Sequence, residues 1–201
     1  MTELLERLTA LYEAGHRETL TDLRDDGRYT NAADLRPAAV LMAVTESAIP
    51  SVLMIHRPSN MRAHPGQAAF PGGKLDPGED AIEAALREAN EELGIDPALV
   101  RVIGATDRYR TATGYDITPV LATVPEDIAI YPNPTEVAGW FAPPLGFVLD
   151  RRNHLPRSAE WGGIERHYLE IMWEGHRIWG VTAAVLANLA RRIAWVGTAH
   201  G

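Results

Sequence analysis

Four glutamates and one arginine stand at fixed offsets between two glycines. The series reads Gly73, Glu79, Arg87, Glu88, Glu91, Glu92 and Gly94, with apolar Ile95 next. On a helix, Glu88, Glu91 and Glu92 are three and four residues apart, so their side chains crowd one face. Like charges at that spacing repel unless something positive sits among them. Hard divalent cations take oxygen ligands, and Mg²⁺ binds through a few carboxylates plus substrate phosphates. The chemistry on offer is therefore an oxygen-lined site for a divalent cation and a phosphate-bearing substrate. Arg87 precedes Glu91 by one turn and could hold it in position. A solvated acidic face would share the local spacing, but the distant Glu79 and the flanking glycines set this stretch apart.

The elements around this set follow from patterning. Pro77 and Gly78 break the chain, and from there Ile82, Ala85, Leu86, Ala89 and Leu93 recur at helical spacing. Gly94 falls where a helix ends in a residue of positive φ. Before it, Ala38–Val44 is a continuous apolar run and reads as a buried strand. Val52–Arg57 reads as a second strand, antiparallel to the first. The segment 57–73, RPSNMRAHPGQAAFPGG, is too irregular for a helix. It reads as a loop that places Arg57, Arg62 and His64 beside the acidic helix, with Lys74 just beyond. Arginine grips phosphate in a bidentate manner, so such a loop suits a phosphate-rich substrate.

Composition bounds the rest. A chain of 201 residues is expected to form one domain over 1–201, with a helical extension at 1–35 and a core at 36–195. The formal net charge of −8 argues against a broad basic nucleic-acid surface. There is no cysteine, which excludes disulfide and thiol chemistry. No signal-peptide core or membrane span is visible, so the expected location is the cytoplasm. Lys74 is the only lysine, which reads as genomic composition bias.

The spaced series resembles the Nudix box, Gly-x5-Glu-x7-Arg-Glu-U-x-Glu-Glu-x-Gly-U with U apolar. Gly73, Glu79, Arg87, Glu88, Glu91, Glu92, Gly94 and Ile95 fit it, and Ala89 stands where a larger aliphatic residue is usual. The preceding loop resembles the motif of the coenzyme A diphosphatase subset, Leu-Leu-Thr-x-Arg-(Ser/Ala)-x3-Arg-x3-Gly-x3-Phe-Pro-Gly-Gly. Leu53, Arg57, Arg62, Gly66, Phe70, Pro71, Gly72 and Gly73 match, whereas Met54, Ile55 and Pro58 depart. The segment RIWGVTA at 177–183 also looks like the end of that subset.

The resemblance implies an α/β (α+β) fold, the Nudix α/β/α sandwich with a mixed sheet. It implies a Mg²⁺- or Mn²⁺-dependent hydrolase of a coenzyme A-like small molecule, with no nucleic-acid or membrane partner; a homodimer is plausible. Metal ligands would be Glu88, Glu91, Glu92 and the carbonyl of Gly73. Glu79 and Arg87 would orient the box, and Arg57, Arg62, His64 and Lys74 would contact substrate. Many members take a further carboxylate from a later loop, for which Glu136 is the candidate; either it or a helix glutamate would take the water proton. Two rivals stand beside this reading: a Nudix hydrolase of ADP-ribose, NADH or another nucleoside diphosphate derivative, and a Nudix domain that binds a nucleotide without cleaving it.

Further along, 98–109 reads as a strand, with Arg108 and Arg110 near its end. Ile117–Val124 reads as an edge or irregular strand because of Pro119. A short strand at 137–141 and a short helix after Pro143-Pro144 follow, then a polar excursion at 150–163 with His154 and Arg157. A hairpin over 167–179 turns at Glu174-Gly175. A final amphipathic helix spans 181–195, with Val185, Leu186, Leu189 and Ile193 facing inward. Leu4, Leu5, Leu8 and Leu11 form an N-terminal helix that Leu20 and Leu23 extend.

Overall fold

Residues 2–58, 66–161 and 163–195 are described by the computed structural model. The chain begins with α1 (Glu3–His16), β1 (Arg36–Thr45), β2 (Met54–His56), β3 (Ala68–Ala69) and β4 (Gly72–Lys74). It continues through α2 (Ala81–Leu93), β5 (Arg101–Ala105), β6 (Tyr109–Arg110), β7 (Tyr115–Val124) and β8 (Gly139–Phe141). It ends with α3 (Leu145–Leu149), β9 (Leu155–Trp161), β10 (Ile164–Trp173), β11 (His176–Trp179) and α4 (Val181–Arg192).

The core divides on β1. Ala39, Leu41 and Ala43 are buried on one face, against Ala84, Ala85, Ala89 and Leu93 of α2. Met42 and Val44 are buried on the other, with Leu8 of α1 and the inward residues of α4. A strand covered on both faces needs an unbroken apolar run, which 38–44 supplies. The central sheet runs β4-β1-β7-β5, with β6 also on β7. β1 and β7 are parallel, and the other pairs are antiparallel. The result is a mixed sheet between helices, as expected. Two antiparallel sheets complete the fold, β3-β2-β8 and β11-β10-β9.

Four expectations are corrected. The 52–57 segment pairs antiparallel with β1 only at its start, through the Val44–Val52 bridge, and β2 itself then pairs with β3 and β8. β7 is a central strand despite Pro119. The Thr106 N–H donates to the Pro119 carbonyl at 2.8 Å, one residue past the end of β5. The missing proline donor thus falls where the ladder passes from β5 to β6. The 150–163 stretch contains a strand, β9, paired along β10. Finally, Leu20 and Leu23 lie in irregular chain after α1. Arg192 Nη1 donates to the carbonyls of Gly15 (3.0 Å) and Glu18 (2.5 Å), satisfying acceptors that a longer helix would use.

Candidate active site

The site is built on α2 and the strand that precedes it. Asp80 caps α2 by accepting from the N–H groups of Ile82 (2.8 Å) and Glu83 (2.9 Å). The Glu83 carboxylate reaches back to the Asp80 N–H at 2.9 Å, closing a capping box. Gly94 ends the helix at φ 67°, the left-handed conformation that glycine adopts without strain. Ala84, Ala85 and Ala89 are fully buried, so the helix backbone lies close to the sheet. That explains the small residue at 89: it sits at the contact with β1 and β7.

β4 is fitted beneath the helix by two glycines. A Cβ on Gly72 would strike the Ala39 carbonyl and Val40 of the neighbouring strand. A Cβ on Gly73 would strike the Glu88 carboxylate. Gly73 is therefore the point at which the backbone passes directly under a box carboxylate.

Arg87 ties the outer carboxylates together. Its Nε and Nη2 donate to Glu79 Oε1 (2.9 Å) and Oε2 (3.0 Å), and Nη2 also donates to the Lys74 carbonyl at 3.0 Å. Nη1 donates to Glu88 at 2.9 Å and Glu91 at 3.3 Å. Glu79 further accepts from the Asp76 N–H at 2.9 Å. Arg87 thus joins Glu79, Glu88 and Glu91, of which only the last pairing was anticipated.

The inner carboxylate is Glu92, 5% exposed, whose Oε2 accepts from the Gly72 N–H at 2.9 Å. Burial pushes its acid up to about 8, with Glu88 and Glu136 raising it and the Gly72 N–H and Arg57 opposing. Burial also raises the Glu88 acid, helped by Glu91 and Glu136 and opposed by Arg87. Glu136 is exposed, in a turn that docks on the end of α2. The Tyr131 and Asn133 N–H groups donate to the carbonyls of Leu93 (2.8 Å) and Glu92 (2.9 Å), and the Glu136 N–H to the Asn133 carbonyl at 3.0 Å. A residue 44 positions after Glu92 is brought back to it in this way.

Glu88, Glu91, Glu92 and Glu136 therefore form one electrostatically coupled group of oxygen donors, the donor set a hard divalent cation takes. Among the described residues no three His, Cys, Asp or Glu side chains stand where they could already hold an ion. Glu88 and Glu91 are turned onto Arg87 instead. The charge excess fits a cation, and Arg87 engages only Oε1 of Glu88 and Oε2 of Glu91, which leaves each carboxylate a second oxygen for it.

Arg57 follows β2, and its charge favours the ionised form of Glu92. Its Nε is buried without a hydrogen-bond partner among the described residues. Arg62 and His64 lie outside the described residues. The Lys74 side chain is exposed. Other candidates from the sequence are engaged elsewhere. Arg108 pairs with Asp116, Arg110 with Asp25 and Arg157 with Glu170. His154 Nε2 lies 2.7 Å from the Val148 carbonyl. A cavity of about 390 Å³ between residues 22–28, β10 and α4 is lined by none of the box carboxylates. Sequence reasoning missed the contact of His56 with His176, for which no local signal exists.

The NUDIX domain family model matches residues 35–161, a span that contains Glu79, Glu88, Glu91, Glu92 and Glu136. The chain belongs to the Nudix family. A Yersinia enterocolitica protein named uncharacterized Nudix hydrolase NudL is 36% identical over 163 residues, covering 81% of this chain and 84% of its own. Its Yersinia pestis counterpart is 37% identical, covering 81% and 82%. RenU, a Nudix hydrolase from M. smegmatis, shares the fold with a TM-score of 0.53 at 22% identity, over 77% of this chain and 83% of that one. This Nudix chain is accordingly an enzyme, a hydrolase of pyrophosphate bonds, in a family that generally uses divalent cations such as Mg²⁺ or Mn²⁺. Among the described residues no helix is long and apolar enough to cross a membrane.

Proposed function

We propose that this Nudix hydrolase cleaves the diphosphate bond of coenzyme A or a derivative, releasing 4′-phosphopantetheine and 3′,5′-ADP. The observation that carries this reading is Arg57. The first arginine of the pre-box motif acts on Glu92 and keeps a buried Nε without a partner among the described residues. A guanidinium whose charge bears on Glu92 suits a phosphate held next to the carboxylates.

The departures from the motif fall in the interior. Ile55 is 1% exposed, between Ala69 and Trp140 on the neighbouring strands, and Pro58 is also buried. A hydroxyl at 55 would face the core rather than substrate. The departures therefore do not weigh against the coenzyme A reading, and it is the arginines of the pre-box motif that favour it over ADP-ribose, NADH or a nucleotide sugar. The four coupled carboxylates favour cleavage over simple nucleotide binding.

Glu88, Glu91, Glu92 and the Gly73 carbonyl would hold the cation. When bound, a divalent cation neutralises phosphate charge, activates water at neutral pH and orients the leaving group. Arg57 and Arg62 would bind phosphate, and His64 and Lys74 would contact substrate. A glutamate, Glu136 or one of the helix carboxylates, takes the proton of the attacking water. The water oxygen bonds to phosphorus as the bridging P–O bond breaks, and the released phosphate keeps the electron pair. Glu79 and Arg87 keep the helix carboxylates aligned, and the Gly72 N–H fixes Glu92. Residues 1–35 serve as a structural addition to the catalytic core.

The test is hydrolysis of coenzyme A, acetyl-coenzyme A, ADP-ribose, NADH and a nucleotide sugar with Mg²⁺ or Mn²⁺, products being identified by mass. Preferential release of 4′-phosphopantetheine is expected. Cleavage of ADP-ribose with coenzyme A untouched would overturn the proposal.

A further inference from the structure

His56 and His176 are 120 residues apart in sequence, yet His56 Nε2 and His176 Nδ1 stand 2.8 Å apart. His56 ends β2 immediately before Arg57, and His176 opens β11 in a different sheet. The direction of this hydrogen bond follows from its surroundings. His56 Nδ1 lies 3.4 Å from the Gly66 carbonyl, which can only accept, so Nδ1 carries the proton. In the neutral ring Nε2 is then the acceptor, and His176 Nδ1–H donates to it.

The chain of contacts ends at the base of the segment that follows Arg57. The Gly66 N–H donates to the Arg57 carbonyl at 3.1 Å, and the Arg57 N–H donates to the Gln67 carbonyl at 3.0 Å. Arg57 and Gly66 are thereby pinned to each other, and His56 holds the carbonyl of one of them. Aromatic rings back the pair. Phe141 stacks on His176 with centroids 4.0 Å apart and planes 2° from parallel, and on His56 at 4.8 Å. Trp173 lies 5.7 Å from His176. Packing alone would need only the bulk of these rings. The ordered donor and acceptor atoms do something further: they fix the rotation of His56.

We propose that His176 is a positioning residue for substrate binding, acting through His56 and Gly66 to set the direction in which Arg57 leaves β2. The inference rests on the reading of Arg57 as a phosphate ligand. It does not depend on which nucleoside diphosphate derivative is cleaved.

The test compares His176→Leu and His176→Asn with the wild type, by Michaelis parameters on the substrate the wild type cleaves and by thermal midpoint. Leucine keeps apolar bulk against Phe141 and loses the donor. Asparagine places an amide N–H close to the position of Nδ1–H. In His176→Leu, KM is expected to rise about tenfold with kcat within about twofold, the scale of one lost hydrogen bond. His176→Asn is expected to recover most of that KM. An unchanged KM in His176→Leu overturns the proposal. So does a joint loss of kcat, KM and thermal midpoint that His176→Asn does not repair, because that marks a scaffold contact. Arg57→Ala, run in parallel, separates the two readings: an unchanged KM there overturns both, whereas a raised KM beside an unaffected His176→Leu overturns only this one.

Discussion

Arg87 grips Glu79 through two parallel hydrogen bonds, Nε to Oε1 at 2.9 Å and Nη2 to Oε2 at 3.0 Å. The third nitrogen, Nη1, is left to reach Glu88 and Glu91. One planar group therefore fixes a residue ahead of the helix and two residues on it. Lysine offers a single rotating ammonium and cannot do this. Arg87→Lys should reduce kcat/KM about ten- to a hundredfold, the usual cost of losing a residue that orients metal ligands. Circular dichroism should show the helix content retained. Wild-type kcat/KM in the variant would refute the orienting role.

Glu92 is the most deeply buried carboxylate of the site and meets one backbone N–H. Glutamine keeps an acceptor for the Gly72 N–H and removes the ionisable group. Glu92→Gln should therefore lower kcat at least about a hundredfold, roughly 3 kcal/mol of transition-state stabilisation. Its thermal midpoint at pH 7 should match or exceed that of the wild type, because an acid raised on folding costs stability above its unfolded value and glutamine has none to raise. Activity within a few-fold of wild type would remove Glu92 from the metal assignment.

Cation binding should also be visible without turnover. Glu88 is opposed by Glu91 and Glu136, and Glu92 by Glu88 and Glu136, and a divalent cation binding only the folded state stabilises it by mass action. At a hundred times the dissociation constant the gain is about 2.7 kcal/mol. Adding Mg²⁺ or Mn²⁺ to chelator-treated protein should raise its thermal midpoint and restore hydrolysis. A Glu88→Gln, Glu92→Gln double variant should lose both responses. An equal upward shift in that variant would place the cation elsewhere.

What was legible in the sequence was local. The box helix, its αL end at Gly94 and the buried run of β1 follow from spacings within a few residues. Pairings between distant segments left no such mark. Pro119 looked like an edge residue because composition does not say that its missing donor falls at the gap between β5 and β6. β9 escaped notice because Arg157 and its neighbours present polar side chains, although Arg157 is paired with Glu170 of β10. Spacing put Glu88, Glu91 and Glu92 on one face but could not show that Arg87 would hold two of them. His56 stood in view beside Arg57, while its partner came from a hairpin with no motif of its own.

Glu170 gives a prediction about acid stability that is independent of the site. Its side chain is buried, and its oxygens accept from Arg177 Nε at 2.6 Å and Arg157 Nε at 2.9 Å. These hydrogen bonds, Arg177 first, hold its acid below the usual glutamate range. A carboxylate lowered on folding binds fewer protons folded than unfolded, so its contribution is fully present above the unfolded value, near 4.3, and is lost as pH falls through the folded one. Urea unfolding followed from pH 7 down to pH 3 should show wild-type stability dropping through this window. Glu170→Gln should start lower at pH 7, because two guanidinium groups lose their carboxylate, and should decline less steeply below about pH 4.5. Parallel pH profiles for the two proteins would mean that Glu170 titrates alike in the folded and unfolded chains, and that the Arg157–Glu170–Arg177 cluster contributes nothing to acid sensitivity.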